Sequence, residues 1–299
     1  MNVTLTESAD ISPFTWSVSG RTGIDRVDAG DLTKGISFND RTNSFGGDGG
    51  GNDVIIGGSG ADSLIAGIGD DVIRPNGGSD TIDGGTGLDR VDYTTSTSGI
   101  NINGNGGSDG LGFSDAFSSV EAVTASPLND SISGMRVIAG LAGNDTMVGT
   151  ASDDFFAGYD GIDTYDGGSG GTDRVSHTAN TAGQGTTAYL NQGSVSSDGR
   201  GANTENYTGI DYVFGGPGSD YFSGTAMPTG VSFWGRAGND TLIGGPFDDI
   251  LRGEEGSATL YCNAGNDLYT PSSGGDTFPQ SDCEGTTAYS RNGSVTPIS

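Results

Sequence analysis

Lysine and glutamate are scarce in this chain, which has one Lys, at position 34, and six Glu among its 299 residues. Both are strong helix formers, so their near absence excludes a mainly helical protein. Only 32% of the residues are hydrophobic, and the sequence has no apolar run long enough for a transmembrane helix. The first sixteen residues have no basic start and no apolar core, so we do not expect a conventional secretory signal.

Positive charge is also scarce, because 12 basic side chains face 39 acidic ones and the formal net charge is −27. A chain this acidic repels nucleic-acid phosphates and anionic lipids, so we expect neither nucleic acid nor membrane insertion. Divalent cations are the partners that the charge favours. Low hydrophobicity with high net charge is typical of disorder, unless a periodic pattern or a bound cation organises the chain.

Glycine is abundant, with 57 residues, and it recurs periodically. Residues 48–92 divide without a gap into five nonads: DGGGNDVII, GGSGADSLI, AGIGDDVIR, PNGGSDTID and GGTGLDRVD. In each nonad position 4 is Gly, position 6 is Asp and position 8 is aliphatic. A second array runs from Asp130 to Asp173, with one inserted residue in GGSGGTD, and a third begins at Asp211 and continues to Pro279.

These nonads resemble those of the repeats-in-toxin family, the haemolysin-type calcium-binding repeats. The resemblance implies an all-β protein, a parallel β-roll or β-helix-like solenoid in about three blocks joined by irregular linkers. Positions 1–6 of each nonad would form a turn and positions 7–9 a short strand. Two nonads would complete one coil, so that turns eighteen residues apart stack on one edge.

The resemblance further implies several Ca²⁺ ions, held between stacked turns by the Asp at position 6 and by backbone carbonyls. On one edge we expect Asp53, Asp71 and Asp89, and on the other Asp62 and Asp80. Later pairs would be Asp145 with Asp163, Asp154 with Asp173, and Asp249 with Asp267. Ala258 stands between Asp240 and Asp276, so the sites beside it should be empty or weak. The full set of expected ligands is Asp53, Asp62, Asp71, Asp80, Asp89, Asp130, Asp145, Asp154, Asp163, Asp173, Asp220, Asp240, Asp249, Asp267 and Asp276.

The irregular segments are themselves related, because GTTAYLNQGSV at 185–195 and GTTAYSRNGSV at 285–295 agree at eight of eleven positions. We therefore predict an N-terminal cap with a degenerate repeat at 1–43, a first block with its linker at 44–124, a second at 125–210, and a third with a C-terminal cap at 211–299. The core would be formed by the position-8 residues, which are Ile55, Leu64, Ile73, Ile82, Val91, Met147, Phe156, Tyr165, Val175, Leu242, Leu251, Leu260, Tyr269 and Phe278.

The sequence offers little else with catalytic character. The surroundings of Cys262 and Cys283 resemble array endings of actinobacterial relatives in which the pair forms a disulfide, and this implies a disulfide here. His177 is the only histidine, so a histidine-based triad or a zinc site with several histidines is not expected. The acidic pairs at 70–71, 153–154 and 248–249 occupy nonad positions 5 and 6, which favours a role in the turns over a glycosidase dyad.

The sequence therefore predicts a non-enzymatic, calcium-binding structural or adhesive protein that folds on calcium binding. We expect it on an extracellular surface, in a surface layer, fibre or matrix, or on the exterior of a virus particle. Its partners would be calcium, with other copies of itself or a cell-surface or virion protein. A carbohydrate-binding repeat module associated with a secreted enzyme is the alternative, and an aromatic or basic strip along one solenoid face would favour it.

Overall fold

The computed structural model describes residues 51–180, 185–190, 205–270 and 274–278, together with the backbone of four short strands nearer the N-terminus. All regular structure in these residues is β, which confirms the predicted fold class. They contain no helix that could cross a membrane. The chain divides into two units, Met1–Leu141 and Ala142–Ser299, and each is a parallel β-solenoid. The predicted cap and three sequence blocks remain a prediction.

In the first unit one sheet consists, in spatial order, of β1 (Asn2–Thr4), β3 (Arg26–Asp28), β5 (Val54–Ile56), β7 (Val72–Arg74), β9 (Arg90–Asp92), β13 (Ala122–Thr124) and β15 (Val137–Ala139). The second sheet consists of β2 (Thr15–Trp16), β4 (Ser37–Asn39), β6 (Ser63–Ile68), β8 (Thr81–Thr86), β12 (Ser114–Ser118), β11 (Gly106–Ser108), β10 (Asn101–Asn103) and β14 (Ser131–Ser133). Consecutive nonads alternate between the two sheets.

In the second unit one sheet contains β17 (Phe155–Ala157), β19 (Arg174–Ser176), β22 (Tyr212–Phe214), β24 (Ser232–Trp234), β27 (Ile250–Arg252) and β30 (Leu268–Thr270). Another contains β16 (Thr146–Val148), β18 (Thr164–Asp166) and β21 (Asn206–Thr208). A third contains β20 (Thr187–Tyr189), β23 (Tyr221–Ser223), β26 (Thr241–Ile243) and β29 (Thr259–Tyr261), and β25 (Ala237–Gly238) pairs with β28 (Glu255–Gly256).

The strand register follows the predicted eighteen-residue coil. Ile55 is opposite Ile73 in β5 and β7, and Leu242 is opposite Leu260 in β26 and β29. The extra residue in GGSGGTD is absorbed in the turn before β19, because Phe156 pairs with Val175 rather than with residue 174. An insertion in a turn lengthens a surface loop and leaves the inward face of the strands unchanged.

The first irregular segment widens the second sheet by a hairpin. β10 and β11 are antiparallel, with Asn101 opposite Ser108, and β11 is antiparallel to β12. β12 then pairs in parallel with β8, placing Phe117 opposite Ile82. The tight turn at NGNGG, where Gly106 has φ 113°, makes the reversal possible. The linker is therefore part of the solenoid wall.

Position-4 glycines are required because successive coils touch there. Gly69 has φ +140°, and a Cβ on it would lie 2.0 Å from the carbonyl oxygen of Gly51, one coil earlier. Gly161 has φ +146°, and its Cβ would lie 1.7 Å from the oxygen of Gly143. Any side chain would push the coils apart, so glycine at position 4 permits the stacking that forms the turn columns.

Each three-residue strand of the nonad arrays directs its middle residue into the core. The position-8 residues that were predicted to form this inward column are buried, with one exception. The predicted residues from Ile55 to Leu260 are fully buried, and Tyr269 is 3% exposed. Phe278 is 39% exposed, so its prediction as a core residue was wrong. It packs against the ring of Tyr269, at 4.8 Å between centroids, and it is the last of the described residues, with none of the described strands following it. Phe117, Tyr207 and Phe233 from the irregular segments also belong to the core.

Candidate calcium sites

The repeat aspartates stack in columns with the predicted pairing. The backbone NH of Asp53 donates to Oδ1 of Asp71 at 2.7 Å, and the NH of Asp71 donates to Oδ1 of Asp89 at 2.9 Å. Asp62 and Asp80 are joined in the same way on the other edge, at 2.7 Å. The same bond links Asp145 to Asp163, Asp154 to Asp173, Asp220 to Asp240, and Asp249 to Asp267. Each carboxylate is therefore held by the coil before its own.

The two remaining predicted ligands have the same kind of contact from residues other than Asp. Asp130 accepts from the NH of Ile100 at 2.7 Å, and Asp276 accepts from the NH of Ala258 at 2.9 Å. The second contact places Ala258 in the column, as predicted from the sequence. That these residues bind calcium stays a prediction. Cys262 is fully buried, whereas Cys283 lies outside the described residues, so the disulfide also stays a prediction.

Acids from the irregular segments continue the columns, and they were not among the ligands expected from the sequence. The NH of Asp80 donates to Asp115 at 2.9 Å, that of Asp89 to Glu121 at 3.0 Å, and that of Asp173 to Asp211 at 3.0 Å. Glu121 and Asp211 immediately precede β13 and β22, whose middle residues face the core, and Asp115 lies within β12, two positions before the buried Phe117. The pattern acid-x-apolar without the preceding glycines was the available signal, as in DAFS and EAVT.

Asp115 is further fixed by Tyr93. The Tyr93 hydroxyl donates to Oδ2 of Asp115 at 2.6 Å, and both side chains are buried. Burial, together with the charge of Asp115, raises the pKa of Tyr93, so the phenol stays protonated and remains a donor.

Acids at position 5 have a different role from those at position 6. Oδ1 of Asp70 accepts from the NH of Leu88 at 2.8 Å, and Oδ1 of Asp248 accepts from the NH of Asn266 at 2.8 Å. Asp153 makes the equivalent bond to the NH of Thr172 at 2.9 Å. The three acidic pairs therefore tie one turn to the next coil, which agrees with the predicted role in the turns.

Burial of the column carboxylates makes their negative charge costly. Desolvation is the largest cause that raises the pKa of Asp80 to about 8, with smaller contributions from the charges of Asp115, Asp62 and Asp109, and the backbone hydrogen bond from Asp62 opposes it. Desolvation likewise raises the pKa of Asp220 to about 8. It raises the pKa to about 6 for Asp115, Asp130, Asp173, Asp240 and Asp249. Cations between the turns would stabilise the ionised forms.

Several column carboxylates retain an oxygen that suits a cation. Oδ2 of Asp80, Asp89 and Asp240 is buried and accepts no hydrogen bond, and the residues are 2%, 0% and 1% exposed. Within the described residues, no group of three or more His, Cys, Asp or Glu side chains could hold a metal ion. A cation there would need backbone carbonyls as well as carboxylates. An all-oxygen donor set of that kind fits calcium, which takes six to eight oxygen ligands.

The single histidine belongs to a buried polar cluster in the second unit. Nε2 of His177 lies 2.8 Å from the Tyr207 hydroxyl, which donates to Oε2 of Glu205 at 2.5 Å. The Tyr165 ring stacks on Tyr207 at 5.1 Å between centroids. Glu205 precedes β21 as the repeat aspartates precede their strands, so this cluster fills a column position with hydrogen-bonded side chains. His177 is therefore a buried histidine whose hydrogen bond is made within the protein.

An aromatic and basic strip lies on the outward face of one sheet in the second unit. Phe214 and Trp234 are paired in register across β22 and β24, with ring centroids 4.1 Å apart. The guanidinium of Arg252 lies over Trp234 at 5.3 Å, and that of Arg174 lies over Tyr212 at 5.1 Å. All five side chains are half-buried. This aromatic strip was not found from the sequence, because its residues are separated by irregular numbers of positions.

Comparison with known families identifies the repeat. The model of the RTX calcium-binding nonapeptide repeat matches residues 48–82, 76–93, 139–172, 207–226, 234–269 and 246–278. Proteins of this repeat family bind multiple calcium ions. Comparison with curated proteins found no match. The chain therefore carries several copies of the RTX calcium-binding nonapeptide repeat between residues 48 and 278.

Proposed function

We propose that this protein is a non-enzymatic structural or adhesive component of an extracellular surface that folds when calcium binds to its acidic columns. The observation that carries the proposal is the stacking of buried aspartates at eighteen-residue spacing, with an unused carboxylate oxygen on Asp80, Asp89 and Asp240. Stacked carboxylates repel one another unless cations lie between them, so the folded state depends on calcium.

The narrow core supports this dependence. Each nonad buries one inward apolar side chain, worth about 2 kcal/mol. Ordering the backbone costs about 1–2 kcal/mol for each residue of the nonad. Hydrogen bonds between coils recover part of this cost, but the columns add repulsion. Calcium binding supplies the remaining stabilisation.

The proposed location follows from the calcium requirement. Weak oxygen-ligand sites bind at the millimolar calcium concentrations found outside cells. A surface layer, a fibre, a matrix or the exterior of a virus particle would all provide this environment. In each of them the solenoid would serve as a scaffold that contacts other copies of itself or a neighbouring surface protein.

The acidic residues also favour a non-enzymatic role. Asp70, Asp153 and Asp248 each cap a backbone NH of a later coil, and the described histidine is buried in a hydrogen-bonded cluster. The carboxylates and the imidazole that a hydrolase would direct at a substrate are here used in hydrogen bonds that stabilise the fold.

Calcium titration of the full chain tests the proposal. Protein equilibrated with EGTA is titrated with calcium while far-ultraviolet circular dichroism and hydrodynamic radius are recorded. We expect a cooperative gain of β-structure together with compaction, and little change with magnesium at the same concentration, because magnesium retains its waters. A chain that is compact and β-structured in EGTA, and unaltered by calcium, would overturn the proposed coupling.

A second candidate function is carbohydrate binding, which the aromatic strip favours. Half-buried aromatic rings on a flat sheet face can stack on sugar rings, and Arg174 and Arg252 add donors for acidic sugars. Trp16→Phe leaves Trp234 as the only tryptophan, so its fluorescence can be followed with alginate, an anionic polysaccharide, and with dextran, a neutral one. A saturable change that Arg252→Ala weakens would support binding. Unchanged fluorescence with both would remove this candidate.

A further inference from the structure

The turns that precede the repeat aspartates have two different conformations, which position 2 of the nonad distinguishes. In one kind, here called open turns, position 2 has a positive φ even where it is not glycine. The φ values are 64° at Asn76, 71° at Arg236 and 65° at Asn263, and Gly85 has φ 102°. A positive φ is unfavourable for a residue with a side chain, so this conformation is imposed by the turn.

In the other kind, here called closed turns, position 2 does not have a positive φ, and its NH donates to Oδ2 of the aspartate at position 6 of the same nonad. Five described turns are closed. The bonds run from Gly58 to Asp62 at 2.8 Å, Ser126 to Asp130 at 3.0 Å, Thr150 to Asp154 at 2.7 Å, Gly216 to Asp220 at 3.1 Å, and Gly245 to Asp249 at 2.6 Å.

Local sequence accounts for four of the five closed turns. Pro127, Pro217 and Pro246 occupy position 3 of their nonads, and a residue before proline is restricted to extended conformations. Thr150 is β-branched, which disfavours a positive φ at position 2. Gly58 has no such restriction, and nothing in the structure explains why its turn is closed.

The two conformations leave the aspartate in different states. In a closed turn both carboxylate oxygens can accept hydrogen bonds within the protein. Oδ1 accepts from a backbone NH of the preceding coil, and Oδ2 accepts from the NH at position 2 of the same nonad. In Asp130 and Asp154 the hydroxyl at position 2 adds a further bond to Oδ1. In the open turns before Asp80, Asp89 and Asp240, Oδ1 serves the coil before, while Oδ2 is buried and accepts no hydrogen bond.

We infer that the open turns are the calcium-binding turns, with Asp80, Asp89 and Asp240 as ligands through Oδ2, and that the closed-turn aspartates cap their own turns without binding calcium. This inference rests on the proposed calcium function. It divides into two classes a set of aspartates that the sequence presents as equivalent. Asp163, also in an open turn, already accepts from the Tyr165 hydroxyl at 3.3 Å.

Matched substitutions of neighbouring aspartates on one edge test the inference. Asp80→Asn keeps an oxygen that accepts from the NH of Asp62, and it replaces the unpartnered Oδ2 with an NH₂ group. The substitution should therefore weaken calcium binding and leave the hydrogen bond between the coils in place. Asp62→Asn keeps the calcium ligands but removes an acceptor from the NH of Gly58. Both variants are made in the full chain, and calcium alone is the probe.

The readouts are the number of calcium ions bound per chain, by equilibrium dialysis, and the urea midpoint as a function of calcium concentration. By linkage, the slope of this dependence reports the ions taken up on folding. We expect Asp80→Asn to bind fewer ions and to have a shallower slope. We expect Asp62→Asn to retain the wild-type number and slope, with a lower midpoint at every calcium concentration.

A second matched pair in the other unit keeps the test decisive if Asp80→Asn fails to fold. Asp220 is in a closed turn and Asp240 in an open turn, and the NH of Asp220 donates to Asp240 at 2.9 Å. Asp240→Asn should lose calcium, whereas Asp220→Asn should not. Equal losses in the open-turn and closed-turn variants would overturn the inference and leave the calcium function intact. A wild-type chain that binds no calcium would instead refute the proposed function.

Discussion

Ala258 is the position at which one substitution should add a calcium site. It lies at position 6 of an open turn, because Glu254 at position 2 has φ 65°. It is 2% exposed and stands one coil after Asp240, as the pairing of Leu242 with Leu260 shows. Ala258→Asp would complete a column between Asp240 and Asp276.

The geometry of neighbouring coils sets the expected result. An aspartate at 258 would offer Oδ1 to the NH of Asp240, as Asp240 does for Asp220 at 2.9 Å. Its Oδ2 would share the space beside the unused Oδ2 of Asp240. We expect one additional calcium ion per chain. At a calcium concentration about 100 times the dissociation constant, that ion would add about 2.7 kcal/mol to the free energy of unfolding.

The sign of the effect should reverse without calcium. In EGTA the new carboxylate is desolvated and lies near Asp240, whose pKa is already raised to about 6 by burial, so the variant should be less stable than wild type. Isothermal titration calorimetry gives the number of ions, and urea unfolding in calcium and in EGTA gives the two stabilities. If EGTA leaves no folded population, midpoints at low and high calcium replace the second measurement.

Ala258→Asn is the matched control, because it supplies the hydrogen-bond acceptor without the charge. It should leave the calcium number unchanged. The reasoning is refuted if Ala258→Asp binds the same number of ions as wild type and is destabilised in calcium as well.

Two further predictions concern the coil contacts and the core. Gly161→Ala should lower the free energy of unfolding by more than about 3 kcal/mol in calcium, because its Cβ would lie 1.7 Å from a carbonyl oxygen, whereas Gly170→Ala, with 3.4 Å of space, should stay within about 0.5 kcal/mol of wild type. Similar urea midpoints for both would contradict the stacking argument. Ile73→Ala should lower the free energy of unfolding by about 2–5 kcal/mol, because Ile73 is fully buried in the inward column. Ile68→Ala should lower it much less, because the Ile68 side chain is 54% exposed. Equal shifts in the thermal midpoint would show that the column is not the core.

The nonads made most of the fold predictable. A fixed repeat places Asp and the apolar residue at the same point of every coil, so register, columns and core follow by counting. The predicted pairings of Asp53 with Asp71 and of Asp249 with Asp267 were found, and Ala258 lies at the expected position in its column. The prediction failed at Phe278, because the periodic pattern places a residue at the inward position but does not show how much of the neighbouring chain covers it.

The irregular segments were less predictable, because their contacts join residues at no fixed spacing. Asp115 follows Asp80 in its column at a separation of 35 residues, and Asp211 follows Asp173 at 38. Trp234 is brought between Phe214 and Arg252 only by the pairing of β22, β24 and β27. No periodicity in the sequence marks these positions.

The sequence by itself determined the class of fold, the eighteen-residue register and the nonad aspartates of the acidic columns, because each of these repeats with the nonad. Only the tertiary structure decided which carboxylate oxygens are used within the protein and which are not. That choice depends on the backbone conformation at position 2 and on the hydrogen bonds made by the adjacent coil. Two nonads with the same Asp, such as those of Asp62 and Asp80, therefore differ in the folded chain.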